Sequence, residues 1–270
     1  MDALFSEADP VHLRLGETKR KERAHSKKKP KKFQKKIFLC IIPSMKNILL
    51  SSVGFFAFAL ALGTAHDASA QVLVDAGHSA SAPGSLSYSG FPEYRATARI
   101  QQKVVNELQR MNIPAVAISQ SLSLEGRAQQ KGTLLVSLHY DSIPQSMRDA
   151  GVGESIFGYS VFVSKKNPHY GTSFSCARSI AWGMRYLGEK PALFHQKGLG
   201  GKNARPLLDT QLGVHRFDDL IVLRKAQNPA VLVEMGMWIN SRDEGRLMSE
   251  STLNNQARGI ALGIAQCLGR

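Results

Sequence analysis

Three apolar segments of the sequence each end in a side chain that can bind a metal or transfer a proton. VLVDAGH ends at His78, LLVSLH ends at His139, and AVLVE ends at Glu234. Each segment is a short apolar run of the kind that forms a buried strand. Since the carboxyl ends of parallel strands line the ligand-binding crevice of an open α/β sheet, we expect the two imidazoles and the carboxylate to converge there.

A fourth ionisable residue, Glu93, follows the loop SASAPGSLSYSGFP and begins a predicted helix, where the helix dipole favours a carboxylate. The loop is rich in Gly, Ser and Pro and can fold back over the end of the first strand. Two His and one Glu form a catalytic zinc set that leaves one position for water, and a second carboxylate can take the water's proton. The pattern predicts one Zn²⁺ bound by His78, Glu93 and His139, with Glu234 as the base.

Each of these residues also has an ordinary structural interpretation. A single histidine at a strand end is more often structural than a ligand, and Glu93 alone could be a common first-turn acid. Glu234 is harder to explain in that way, because an unpaired carboxylate at the end of an apolar strand is costly. The other histidines of this region, His169, His195 and His215, lie in or beside predicted loops, and we expect them to face solvent.

The segments between these residues predict the elements that position them. Residues 93–111 place apolar side chains at helical spacing, and 133–139 is a near-continuous apolar strand, as expected where both faces of a sheet are covered. Strands alternate with helices, so we predict an α/β fold: a single domain with a twisted, largely parallel central β-sheet flanked by helices. The predicted strands are 72–76, 114–119, 133–139, 159–164, 220–224 and 230–236; the predicted helices are 93–111, 122–131 (a short helix or turn), 172–187, 242–249 and 251–268; and 188–218 is predicted to be an irregular surface loop.

Charge and hydropathy divide the chain into an N-terminal part and a folded region. The formal net charge is +14, and residues 1–44 hold 12 Lys and Arg against 5 Asp and Glu, which is half of the excess. Met45 then opens a short basic stretch, an uncharged apolar run and a small-x-small site ending at Ala70, which together predict a secretory signal peptide at 45–70. We interpret 1–44 as a basic, disordered extension, consistent with a mis-called start, and 71–270 as the catalytic domain.

Two alternatives apply to the N-terminal part. The apolar run is near the lower length limit for crossing a membrane, so a single transmembrane anchor is the rival to cleavage. The basic segment also has the composition of a nucleic-acid-binding arm, but we expect no nucleic-acid partner, since that segment would have to remain on the mature protein. We predict export to the periplasm or cell envelope, an oxidising setting in which Cys176 and Cys267 could form one disulfide or stay as two buried thiols.

Taken in order, VLVDAGHS, a Glu about fifteen residues later, LLVSLHYDS and PAVLVEMGMWINSRDE resemble the zinc-dependent N-acetylmuramoyl-L-alanine amidases of type 3, which cleave bacterial peptidoglycan. The resemblance covers nearly all of 71–268. It implies that His78, Glu93 and His139 are the ligands of one zinc ion and that Glu234 is the catalytic glutamate.

Two further residues match the family pattern, and the resemblance implies that they support the structure of the site and take no part in the reaction. Arg127 matches an arginine usually found before the strand of the second His, and Asn240 matches the Asn of the turn after the last strand. There are also departures from the family pattern. Ser79-Ala80 replace two glycines, and Asp141 replaces an Asn, so hydrogen bonding behind the metal site and substrate preference can differ.

The resemblance implies hydrolysis of the amide that joins the lactyl group of N-acetylmuramic acid to the L-alanine of the stem peptide. The partner is then peptidoglycan and the protein is expected to be a monomer, while the preferred stem peptide and any protein activator stay open. A zinc peptidase acting on the stem peptide would use the same ligands, and a wall-binding module that has kept the fold is the non-enzymatic alternative. No separate wall-binding repeat is visible in the sequence.

Overall fold

The computed structural model describes residues 70–197 and 205–270. The predicted basic extension and all but the last residue of the predicted signal peptide lie outside these ranges. Inside them, no helix combines the length and the apolar composition that a membrane crossing needs. The described residues form an α/β domain built on a seven-stranded sheet, in agreement with the predicted fold class.

The sheet is mixed but mostly parallel. Its strands are β1 (Val72–Ala76), β2 (Ala115–Ile118), β3 (Leu134–Asp141), β4 (Ser160–Val163), β5 (Leu207–Asp209), β6 (Val214–Arg216) and β7 (Ala230–Met237). They lie in the order β2-β1-β3-β7-β4-β6-β5. The pairings of β1 with β2, β1 with β3, β3 with β7 and β4 with β6 are parallel. Only β4 with β7 and β5 with β6 are antiparallel, so the prediction of a largely parallel sheet is confirmed.

Helices cover the two faces of the sheet unequally. The α-helices of the described ranges are α1 (Glu93–Arg110), α2 (Leu124–Ala128), α3 (Gln145–Asp149), α4 (Tyr170–Tyr186), α5 (Ile221–Arg224), α6 (Ser241–Leu247) and α7 (Glu250–Cys267). The long helices α1, α4 and α7 pack on one face. On the other, Leu135 and Leu232 meet Val222 of the short helix α5, with α2 beside it. His139 and Glu234 are in phase with these leucines, and so lie on the thinly covered face.

Helices α4 and α7 approach each other closely and are joined covalently. A Cβ at Gly183 would overlap the carbonyl oxygen of Gly259, so the contact requires glycine at that point. Cys176 of α4 and Cys267 of α7 form a disulfide, with their Cα atoms 4.9 Å apart. Of the two alternatives for these cysteines, the structure contains the disulfide.

Two predictions of secondary structure are wrong. Residues 220–224, expected to be a strand, contain the helix α5, because a short apolar run has no periodicity that separates the two states. The loop expected at 188–218 contains β5 and β6, whose turn is completed by Gly213 at a φ of 65°. The other predicted strands and helices are present.

Candidate metal centre

His78, Glu93 and His139 come together at the carboxyl edge of the sheet. Glu93 Oε2 lies 3.2 Å from His78 Nε2, and Glu93 Oε1 lies 3.1 Å from His139 Nδ1. The two imidazole rings stand at 76° to each other with their centroids 4.9 Å apart. One donor atom from each of the three residues lies within 4.8 Å of the other two. The three residues that the sequence suggests as ligands can therefore share one ion.

Glu93, the first residue of α1, is only 2% exposed. Its Oε2 accepts hydrogen bonds from the backbone N–H and the hydroxyl of Ser85, at 3.0 and 2.9 Å, and its Oε1 accepts one from Tyr140 N–H at 3.1 Å. Burial alone raises the pKa of Glu93, but hydrogen bonds and charge from His139 and His78 outweigh it and lower the pKa below the ordinary value. The carboxylate is ionised at neutral pH, as a metal ligand must be.

A tight turn after β1 presents the first imidazole. His78 has a left-handed backbone with a φ of 66°, which is uncommon for a residue with a Cβ. Arg127, itself 2% exposed, donates from Nη2 to the carbonyl of His78 at 2.7 Å and from Nη1 to that of Ala76 at 2.9 Å. A Cβ at Gly77 would overlap the ring of His139. The turn is tight because the second imidazole occupies the space that a side chain would need.

Glu234 lies opposite His139 in the register of β3 and β7. The residue is partly accessible, yet its Oε2 is buried and has no hydrogen-bond partner among the described residues. Burial first, and then the negative charges of Asp141 and Glu93, raise the pKa of Glu234 well above its usual range. A buried carboxyl oxygen without a partner, beside three convergent donors, fits a site built to hold a divalent cation and a water.

A cavity of about 490 Å³ opens beside the two imidazoles. Its polar lining comes from His78, His139 and the segments that follow β1 and precede α2. Its apolar lining comes from Leu122, Leu124, Leu220, Ile221, Val222 and Leu232. A mostly apolar cleft with a few polar groups at one end is the usual form of a substrate site.

The structure places beside Glu234 a pair that sequence reasoning missed. Asp141 Oδ2 lies 2.5 Å from His195 Nε2, and their side chains are 7% and 18% exposed. The prediction that His195 faces solvent is therefore wrong, and so is that for His215, which is fully buried on β6. Because the sequence did not predict β6, it gave no reason to place the imidazoles of His195 and His215 against the sheet. The available signal was Asp141 itself, where the family has Asn. His169 is exposed as expected.

Asn240 supports the fold near the end of β7. It is the N-cap of α6, where its Oδ1 accepts hydrogen bonds from the N–H groups of Arg242 and Asp243 at 3.0 and 3.1 Å. Its Nδ2 donates to three carbonyl oxygens of the segment 153–156. These contacts match the structural role that the resemblance implies for Asn240.

Comparison with known proteins gives a consistent result for the family and the fold. A family model described as N-acetylmuramoyl-L-alanine amidase matches residues 72–266. A comparison with curated protein sequences gives no significant match.

Several solved structures have the same fold. The N-acetylmuramyl-L-alanine amidase Ami1 from Mycobacterium smegmatis matches 75% of this chain and 98% of its own, with 22% identity and a TM-score of 0.58. The amidase AmiC2 of Nostoc punctiforme has the same coverage and identity, with a TM-score of 0.56. An N-acetylmuramoyl-L-alanine amidase from Clostridium difficile 630 matches the same shares of the chains, with 21% identity and a TM-score of 0.59. At these identities, the likeness shows a shared fold.

Proposed function

Since the chain belongs to the N-acetylmuramoyl-L-alanine amidase family, we propose that His78, Glu93 and His139 bind one Zn²⁺ and that Glu234 is the catalytic carboxylate. The enzyme hydrolyses the amide between N-acetylmuramic acid and L-alanine in bacterial peptidoglycan. One observation carries the assignment of the site: the two carboxylate oxygens of Glu93 each lie within 3.2 Å of a different imidazole nitrogen.

The chemistry of these donors suits zinc. Two imidazoles and one carboxylate are the ligands of a known class of catalytic zinc site, which keeps a further position open. Glu93 is buried and ionised, and within the described ranges no Lys or Arg forms an ion pair with it. A divalent cation would balance this charge at the point where the imidazoles already converge.

The residues around the ion have separate tasks. When bound, zinc would supply Lewis acidity that makes water nucleophilic near neutral pH and polarises the scissile carbonyl. Glu234 accepts the proton of the attacking water and transfers it to the leaving amide nitrogen as the C–N bond breaks. Arg127 holds the His78 turn through two carbonyl oxygens, which keeps the first imidazole in place.

Metal analysis of the purified protein, combined with mass spectrometry of digested peptidoglycan, tests this proposal. We expect about one zinc per chain. The products should be peptides with a free N-terminal L-alanine and glycan with free lactyl carboxyl groups. Full activity in a metal-stripped sample would contradict the zinc assignment. His139→Ala should lose both zinc and activity, whereas His169→Ala, at an exposed histidine, should keep both.

The second candidate function is a zinc peptidase that acts on the stem peptide. It uses the same donor set, so the ligands do not separate the two reactions, whereas the products do. Cleavage inside the stem peptide, with the bond to N-acetylmuramic acid intact, would favour the peptidase.

We also propose that the protein is exported as a monomer, with 45–70 as a cleaved signal peptide and 71–270 as the mature domain. The composition of the N-terminal part supports this, as does a substrate that lies outside the cytoplasmic membrane. The disulfide between Cys176 and Cys267 suits an oxidising compartment. N-terminal sequencing should find a start near Gln71. A mature protein that retains the basic segment 1–44 would favour the membrane anchor instead.

A further inference from the structure

A groove beside the outer surface of α4 holds two stacked aromatic rings. Trp182 and Tyr186 stack at an interplanar angle of 14° with their centroids 5.1 Å apart. They are 43% and 67% exposed, although aromatic side chains of this size usually lie mostly inside a protein. We call this feature the aromatic groove; its volume is about 500 Å³, and its other lining residues are Arg178, Arg185, Asp209, Gln211 and Leu212.

Hydrogen bonds hold the aromatic groove in shape. Arg178 Nε donates to Asp209 Oδ2 at 2.9 Å, which ties α4 to β5. Arg185 Nη1 donates to the carbonyl oxygen of Gln211 at 2.8 Å, which ties α4 to the turn after β5. Asp209 Oδ1 accepts two backbone hydrogen bonds from that same turn. Because these hydrogen bonds already order this part of the lining, little conformational entropy is lost there when a ligand binds.

The aromatic groove lies toward the same edge of the sheet as the metal centre, but on the face that α4 covers, whereas His139 and Glu234 lie on the opposite face. Ser160 begins β4 directly opposite Glu234, and Tyr159 just before it donates its hydroxyl to the carbonyl oxygen of Ala181 at 2.8 Å. Trp182 is the next residue along α4. The turn between β5 and β6 is at this edge too, because β6 runs parallel to β4. Three strand spacings, about 15 Å, separate β7 from β5 within the plane of the sheet, and a ligand that reaches both sites must also cross the edge of the sheet.

We propose that the aromatic groove binds the glycan strand of peptidoglycan, an inference that rests on the proposed function. The substrate is a polymer, so further sugar rings of a strand whose stem peptide is held at the metal centre can reach the groove where that strand crosses this edge of the sheet. Hexosamine rings have C–H faces that pack on Trp182 and Tyr186, and hydroxyl and acetamido groups that hydrogen-bond to arginine and amide side chains. Arg178 can donate from both Nη atoms, which have no partner among the described residues.

The size of the aromatic groove favours a saccharide over a protein. A stable protein interface buries about 800 Å² on each partner, whereas the apolar surface here is confined to two rings and Leu212. A concave site of about 500 Å³ instead suits a ligand of a few rings. Once the metal centre has bound the polymer, binding of the same polymer at the aromatic groove is intramolecular. This raises the retention of the protein on peptidoglycan without a separate wall-binding repeat.

Cosedimentation with purified insoluble peptidoglycan tests the inference. The zinc-loaded Glu234→Gln protein is used, so that the polymer is not digested. Adding Trp182→Ala and Tyr186→Ala should weaken binding about tenfold. Trp182→Phe with Tyr186→Phe keeps both rings and should keep binding. Phe157→Ala removes an exposed aromatic ring outside the aromatic groove and is the matched control. In the active protein, the alanine pair should leave hydrolysis of a soluble muramyl-peptide fragment unchanged.

Tryptophan fluorescence provides an independent measurement. The chain has two tryptophans, and the buried Trp238 is hydrogen-bonded to Ser85 beside the metal centre, so a change in emission on adding chitin oligosaccharides is assigned to Trp182 by its loss in a variant. The change should disappear in Trp182→Phe. Unaltered emission in the parent protein, or unaltered cosedimentation of the alanine pair, would overturn the glycan site. Absence of fragment hydrolysis in every variant and in the parent would count against the proposed function instead.

Discussion

Asp141 Oδ2 and His195 Nε2 lie 2.5 Å apart, so that an imidazole N–H donates to a buried carboxylate on the strand that carries His139. That carboxylate is one of the two negative charges that raise the pKa of Glu234. His195 also packs edge-on against Phe162, with ring centroids 5.0 Å apart. A single hydrogen bond thus connects the turn that carries His195 with the surroundings of Glu234, the proposed catalytic carboxylate.

Replacing His195 with alanine should destabilise the protein. Because a buried acceptor that loses its donor keeps its full desolvation cost, we expect the free energy of unfolding to fall by about 1–3 kcal/mol in urea titration. His169→Ala should change it less, because the hydrogen bond that His169 makes to the carbonyl oxygen of Gln227 is exposed to water. Adding Asp141→Asn to His195→Ala removes the charge and should recover part of the loss. Equal stability of the two histidine variants would contradict this role of the pair.

Glu234→Gln should separate metal binding from turnover. The amide cannot accept the proton of water, so we expect the rate of peptidoglycan hydrolysis to fall by about 10²- to 10⁴-fold. The zinc content should stay at the parent level, because Glu234 is not among the proposed ligands. Glu250→Gln, at an exposed carboxylate at the start of α7, is the control and should retain full activity. Loss of zinc from Glu234→Gln would show that the carboxylate is a ligand instead.

The buried imidazole of His215 should make stability depend on pH. Burial, which disfavours the charged ring, is the main cause of its lowered pKa. The unfolded chain has a histidine pKa of about 6.5. Below that pH the unfolded state takes up a proton that the folded state resists, so stability present above pH 6.5 is lost as the pH falls toward the folded pKa. The unfolding free energy of His215→Gln should therefore fall less steeply below about pH 6.5 than that of the parent protein.

A matched variant separates this effect from the titration of other groups. His169→Gln changes an exposed histidine, leaves the buried ring of His215 in place and is the matched control. The comparison uses the difference between curves, since carboxylates with lowered pKa values contribute in the same direction at more acidic pH. Parallel curves for all three proteins would contradict a buried neutral His215.

Removing the disulfide should weaken the fold without changing the chemistry. The bridge closes a loop with a sequence separation of 91 residues, so Cys176→Ala with Cys267→Ala should lower the free energy of unfolding by about 2–5 kcal/mol. Reductant should destabilise the parent by a similar amount and leave the double variant unchanged. The proposed mature chain, 71–270, has no other cysteine, so reductant acts on this bridge alone. Equal sensitivity of parent and double variant to reductant would contradict a structural bridge.

The candidate ligands and base could be predicted because each is marked by its own chain segment. His78, His139 and Glu234 each end an apolar run, and Glu93 begins an amphipathic helix. Because the strands run parallel, their carboxyl ends, and with them these strand-end residues, lie at one edge of the sheet, and no knowledge of distant contacts is needed to infer it. The same reasoning identified the α/β class.

What could not be predicted depends on contacts between distant segments. His195 meets Asp141 across 54 residues of sequence, and only the tertiary fold brings them together. The run LIVLR has the composition of a strand, but it forms a helical turn in which Val222 and Leu223 pack into the core. Strands β5 and β6 have three residues each, which is too short for alternation to be recognised.

The left-handed turn at His78 bears on how the site would recover after chelation. Because Arg127 anchors the main chain on both sides of Gly77, the backbone that carries the imidazole is held in place without the cation. Little conformational freedom is left to lose when the ion returns. Reloading should therefore proceed in one rapid bimolecular phase whose rate is proportional to zinc concentration, with no slow refolding step behind it.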